Sequence, residues 1–206
     1  IISGLGMSGG WLITDSPCTE KHTHLALQTI AKDQTPIYLS YVDPRRFGRM
    51  LFANNKTFDH FFAAQGIDPS SDEFTLQSLQ QTLKKYPQRK LKIFLLDQKS
   101  FPGIGNYLAS EICALAGIRP TRMVRLITAA EMRKLYTAFK RVIAMAIASN
   151  GNTFGGGYVD TSGEKGTALA GLLVFYRKTC GRCKKQKVKK IYLGGRGTYY
   201  CPSCQK

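Results

Sequence analysis

The chain has 206 residues, with 30 Lys or Arg against 13 Asp or Glu and a formal net charge of +17. That length allows one sizeable domain or two small ones. An apolar content of 43% excludes a disordered chain, and no apolar run approaches the roughly 18 residues of a membrane span. The charge excess suits either a plain basic protein or a polyanion binder. Its uneven placement favours the second.

In chain order, residues 5–53 read as β. Trp11 and Leu12 belong to a first strand. His24 to Ile30 and Ile37 to Val42 alternate apolar side chains, with Lys32-Asp33-Gln34 as the hairpin turn between them, and Phe47 to Phe52 is a further strand. Ile1-Ile2-Ser3-Gly4 has no initiator Met and reads like the middle of a strand. Residues 75–149 read as α. Leu76, Leu79, Leu83 and Tyr86 recur at helical spacing, and so do Leu108, Ile112 and Leu115, whose helix ends at Gly117. Thr128-Ala-Ala-Glu131 is a capping box opening a helix with Leu135, Phe139, Val142 and Ala146 on one face. Gly151 to Gly171 is rich in Gly, Ser, Thr and Asp, which makes it a linker or a mobile functional loop. Strands, then helices, then a separate C-terminal module predict an α+β chain with segregated parts.

That module carries Cys180-Gly-Arg-Cys183, seventeen residues, then Cys201-Pro-Ser-Cys204. Two CxxC pairs at this spacing predict one structural zinc, each pair holding one side of a tetrahedral metal around a β-hairpin. From Gly171 to Lys206 there are ten Lys or Arg and no acid, so the module stays cationic with zinc bound and suits a nucleic acid. The other cysteines, Cys18 and Cys113, lie far apart; Cys113 falls in an apolar helical pattern. This usage predicts a reducing, intracellular compartment.

Four further segments hold candidate chemistry. Gly103-Ile104-Gly105-Asn106 allows a sharp turn, with Asn106 as N-cap of the next helix and free N–H groups for a phosphate; an ordinary helix–helix turn explains it equally well. Lys92, fourteen residues earlier, is a second phosphate ligand or a solvated side chain. In Asp43-Pro44-Arg45-Arg46-Phe47-Gly48, an arginine can pair with a base edge and a ring can wedge into a base stack; the bland reading pairs an Arg with Asp43 and buries Phe47. Met7, between glycines, is a gap filler or a core residue. Arg196, in Gly194-Gly195-Arg196-Gly197-Thr198, looks like a hairpin-tip arginine that forks onto a phosphate, or a solvated charge.

Together these residues resemble the formamidopyrimidine-DNA glycosylase / endonuclease VIII family. The matching pieces run in order: LGMSG at 5–9, KHTH at 21–24, DPRRFG at 43–48, LLDQKSFPGIGNYLASE at 95–111, AGIRP at 116–120 and RGTYYCPSCQK at 196–206. The resemblance implies the last part of an N-terminal β-sandwich (1–58), a helical domain with a helix–two-turns–helix motif (59–150), a lesion-capping loop (151–171) and a zinc finger (172–206). It implies a monomer that removes oxidised purines (8-oxoguanine, formamidopyrimidines) from double-stranded DNA by base flipping, and nicks the abasic strand through a Schiff base. Met7, Arg45 and Phe47 would fill the gap left by the flipped base. Asn106 and Lys92 would hold backbone phosphates, His22 and Arg89 would make other DNA contacts, and Arg196 would clamp a phosphate and assist elimination. The family's nucleophilic N-terminal proline and the glutamate after it have no counterpart in the 206 residues, which reads as a chain lacking the family's N-terminal segment. The alternative is a non-catalytic binder of damaged or abasic DNA.

Overall fold

The computed structural model describes residues 1–6, 8–151, 159–167 and 171–206. Met7 and most of the Gly-rich stretch, residues 152–158 and 168–170, lie outside the described residues. The chain divides into two compact units, Ile1–Phe61 with Ala148–Ala168, and Phe62–Ile147 with Leu169–Lys206.

The first unit is built from short antiparallel strands. β1 (Ile2–Gly4) pairs with β5 (Arg49–Leu51). β2 (Gly10–Thr14), β3 (Thr23–Ile30) and β4 (Pro36–Val42) form a second sheet in the order β2-β4-β3. The β3–β4 hairpin expected from the alternation is present. Its turn carries Gln34 at φ 69°, and the Asp33 carboxylate accepts from the backbone N–H and the hydroxyl of Thr35. Residues 159–167 add to the β2 side: Ile13 N–H donates to the Thr161 carbonyl, and Asp160 accepts the N–H groups of Ser162 and Glu164. Helix α1 (Asn55–Ala63) follows β5; its Phe58, Phe61 and Phe62 stand at helical spacing, but none of its residues is buried.

The second unit holds the larger core. Phe74, Phe94, Phe101 and Phe139 pack ring against ring at centroid distances of 5.0 to 6.5 Å. Around them lie Leu79 and Leu83 of α2 (Leu76–Lys84), Ile112 of α4 (Asn106–Ala116) and Leu135 of α5 (Ala129–Ala148). Each such side chain contributes about 1.5–3 kcal/mol by burial. The α5 capping box forms as expected, with Thr128 N–H on the Glu131 carboxylate at 2.9 Å and Glu131 N–H on the Thr128 hydroxyl at 3.2 Å. Gly117 ends α4 at φ 75°, a left-handed conformation that favours glycine.

Short helix α3 (Leu91–Leu95) leads into α4 through two consecutive turns, closed by Ser100 N–H to the Asp97 carbonyl (2.9 Å) and Ile104 N–H to the Phe101 carbonyl (3.3 Å). The C-terminal hairpin is β6 (Lys189–Leu193) against β7 (Arg196–Tyr200). Its two-residue turn, Gly194-Gly195, has φ 56° and 73°, the pattern of a type I′ turn. Arg196 therefore begins β7 beside the turn instead of forming its apex. Among the described residues, no helix is long and apolar enough to cross a membrane.

Candidate nucleic-acid interface

In the second unit, the two-turn segment is held by Gln98. Its amide donates to the carbonyls of Ile104 (2.9 Å) and Leu96 (3.2 Å), and its oxygen accepts Gly103 N–H (3.1 Å). Gly103 sits at φ 81°, so the turn needs a residue without a Cβ there. The chain then enters α4 with Gly105, not Asn106, as N-cap. This corrects the expected capping role. Asn106 begins the helix, and its side chain turns to the finger: Nδ2 donates to the Gly197 carbonyl (3.1 Å) and Oδ1 accepts from Lys92 Nζ (2.7 Å).

Lys92 is neither solvated nor open to a ligand in this arrangement. Its side chain is fully buried, and its ammonium also donates to Thr198 Oγ1 (2.9 Å) and the Gly197 carbonyl (3.4 Å). Burial lowers it to about 8, and the nearby Arg196 charge pushes the same way. Three acceptors hold the ammonium in place, so Lys92 ties α3, the start of α4 and the base of β7 together. Arg196 projects from that junction and is exposed. Arg89 lies apart, bridging to Asp97 at 2.7 Å with its guanidinium 4.5 Å above the Tyr86 ring.

Glu111 has no motif of its own in the sequence. It is a buried acid on the second turn of α4, and its carboxylate accepts the backbone N–H groups of Leu173, Val174 (2.9 Å) and Phe175 (2.8 Å). Burial raises its pKa, and the three N–H bonds oppose that rise. It fastens the chain entering the finger onto α4. The only advance signal is an acid inside an otherwise apolar helix face.

The four cysteines meet, with all sulfur atoms within 4.8 Å of one another and Cys183 Sγ 3.9 Å from Cys201 Sγ. Sulfurs on a tetrahedral ion with bonds of about 2.3 Å lie about 3.8 Å apart, so the donor set fits zinc. Backbone N–H groups of Gln186 and Lys185 hold the Cys183 thiol well below the usual thiol range. Gln205, fully buried, accepts Cys201 N–H (2.8 Å) and donates to the Ile118 carbonyl (2.9 Å), pinning the cysteine cluster to the end of α4.

In the first unit, Asp43 organises the turn between β4 and β5. At 1% exposure it accepts the Ser8 hydroxyl (2.6 Å), Gly48 N–H (2.8 Å), Arg45 N–H (3.3 Å) and the Tyr41 hydroxyl (3.4 Å). The Ser8 bond, with the backbone bonds behind it, lowers its pKa to about 2 against the opposing effect of burial. A Cβ on Gly48 would overlap the Tyr41 hydroxyl at 1.7 Å, so only glycine fits there. The turn projects Phe47 outward, 55% exposed, with the Arg45 guanidinium 4.7 Å above its ring, so Phe47 is not a core residue. His22, half-buried at φ 74°, accepts Asp43 N–H through its carbonyl (3.1 Å).

Asp43 is lowered in the folded chain, so its contribution is present above about 3.8 and disappears as pH falls through about 2. Tyr41 links this turn to Trp11, the single tryptophan, at 5.4 Å. On acidification, Trp11 fluorescence is expected to change in that window, and Asp43→Asn is expected to abolish the step. A flat Trp11 signal from pH 5 to 2 in the unaltered chain would remove Asp43 as the organiser.

Helix, two turns, helix and a four-cysteine hairpin locked onto the second helix define a helix–two-turns–helix protein with a cysteine finger. Residues 65–156 match the family described as the formamidopyrimidine-DNA glycosylase H2TH domain. The formamidopyrimidine-DNA glycosylase of Histophilus somni is 35% identical over 212 residues, covering 100% of this chain and 75% of that protein. That of Shouchella clausii is 35% identical over 210 residues, covering 100% and 74%. Among solved structures, the MutM (Fpg) protein of Thermus thermophilus superposes with a TM-score of 0.81 at 32% identity, covering 98% of this chain and 74% of that one. A complex between Lactococcus lactis Fpg and DNA containing an abasic site gives 0.80 at 28% identity, covering 99% and 73%. The chain belongs to the formamidopyrimidine-DNA glycosylase family.

Proposed function

We propose that this chain is the DNA-clamping part of a base-excision glycosylase and AP lyase that acts on oxidised purines in duplex DNA. The observation that carries the reading is the Lys92–Asn106–Gly197 junction, which places exposed Arg196 next to the N-terminus of α4. A helix N-terminus and a guanidinium side by side suit a phosphodiester, the group that must be gripped while a base is drawn from the stack. Asn106 and Arg196 hold phosphate there, and Lys92 acts through Asn106 as a positioning residue. Arg45 and Phe47 enter the gap left by the extruded base, the guanidinium toward the orphaned partner and the ring against the stack; Met7 belongs with them by resemblance. His22 and Arg89 supply weaker backbone contacts. The parent reaction runs through a Schiff base between the family's N-terminal amine and the sugar, then elimination, with Arg196 supporting the departing phosphate.

Cys180, Cys183, Cys201 and Cys204 hold one structural zinc, which supplies no chemistry and fixes the finger. The working form is an intracellular monomer on double-stranded DNA. A non-catalytic binder of abasic sites would use the same clamp, and only the presence of the amine separates the two.

Asn106→Ala and Arg196→Ala are each expected to weaken binding to abasic-site duplex about tenfold, and Arg196→Ala to reduce the slope of log affinity against log salt by about one. Fluorescence anisotropy titrations between low and physiological salt check this. Unchanged affinity in both variants would sink the clamp.

A further inference from the structure

The second unit carries a second cationic feature, away from the clamp. A groove of about 660 Å³ lies between α5 and the finger. That is the size of a ligand site. Its rim is Arg133, Lys134 and Arg141 from α5 and Arg182 from the finger; its floor includes Leu115, Ala138 and Leu173. Arg133, Lys134 and Arg141 are exposed, and among the described residues no carboxylate is paired with any of them. The one acid in the lining, Glu131, is already held by Arg122 at 3.0 Å and by Thr128 N–H.

The groove sits at the wrong end of α4 for the phosphate clamp. Asn106 begins that helix, while Leu115, Ala116 and Gly117 at its other end line the groove. Eleven residues of helix separate the two by about 15 Å.

We propose that this groove is a docking site for an acidic, aliphatic peptide segment of a partner protein. Charge complementarity requires an anion, and two features favour peptide over nucleic acid. No aromatic side chain lines the groove to stack a base. The aliphatic floor matches Leu-like side chains. Arg182 donates to the Ala114 carbonyl at 3.3 Å, which fixes its guanidinium at the rim. Acidic side chains would meet the α5 cations while the backbone and apolar side chains settle on the floor.

The test uses the zinc-loaded 206-residue chain and three fluorescent probes: four repeats of Glu-Glu-Leu, four repeats of Glu-Glu-Ser, and a twelve-nucleotide oligothymidylate. The Leu peptide is expected to bind more tightly than the Ser peptide. Arg133→Glu with Arg141→Glu should weaken it about tenfold or more, while affinity for abasic-site duplex stays within about twofold. Thr137→Trp, which narrows the groove and keeps every charge, should also lose the Leu peptide. Equal binding of the two peptides, Leu-peptide binding that survives both variants, or oligothymidylate binding lost in the same variants would each overturn the proposal. A fall in abasic-duplex affinity in the double variant would instead place this face in the DNA interface and overturn it too. Failure here leaves the clamp untouched, because the clamp is read separately on Asn106 and Arg196.

Discussion

Stripping the proposed zinc from the four-cysteine site is expected to abolish the finger and lower the chain's affinity for abasic-site duplex by about a hundredfold or more. The finger's apolar interior is small, a cluster of the Phe175, Tyr176 and Tyr199 rings with Leu172, Val174 and Leu193. Of β6 and β7, only Leu193, Thr198 and Tyr199 are buried. Its order comes from four sulfurs within 4.8 Å and from Gln205, which bonds to the Cys201 N–H beside them. Structural zinc in such a site is worth on the order of 10 kcal/mol of folding free energy, far more than one buried Gln returns. With the metal gone, β7 loses its anchor, Gly197 and Thr198 leave Lys92, and Arg196 is no longer held beside α4. Circular dichroism and anisotropy before and after chelation, then after zinc is restored, test this. Full DNA binding by demetallated protein would contradict it.

The second large effect is expected at Glu111. Glu111→Ala leaves up to three backbone N–H groups without their acceptor at the root of the finger, an expected cost of about 3–5 kcal/mol. Glu111→Gln keeps one acceptor oxygen but turns an NH2 toward an N–H, and is expected to cost about 1–3 kcal/mol. Urea denaturation followed by the helical far-ultraviolet signal measures both. A Glu111→Gln chain as stable as the original at neutral pH would show that the carboxylate does not hold the segment at 173–175.

What was legible in the sequence is what local chemistry decides. The β3–β4 hairpin, the Thr128–Glu131 box, the Gly117 terminus and the four-cysteine frame each depend on residue types at short spacing, and each is present. What was not legible depends on contacts distant in sequence. Lys92 reads as a solvated or ligand-binding lysine until β7, more than a hundred residues later, supplies Thr198 and Gly197. Asn106 looks like a cap because Asn caps helices well; the finger claims its side chain instead. Asp43 reads as a partner for arginine, whereas Ser8, thirty-five positions earlier, takes one of its oxygens. Helix α1 leaves only a short trace, Phe58, Phe61 and Phe62 at helical spacing within nine residues.

The most direct test of the central claim is to compare the affinity of the zinc-loaded chain for abasic-site duplex and for undamaged duplex of the same sequence at physiological salt. A clamp built to grip an extruded nucleotide predicts a preference of about tenfold or more for the abasic duplex, where no base pair has to be broken. Equal affinity for the two would reduce the chain to a general cationic DNA binder and contradict the account.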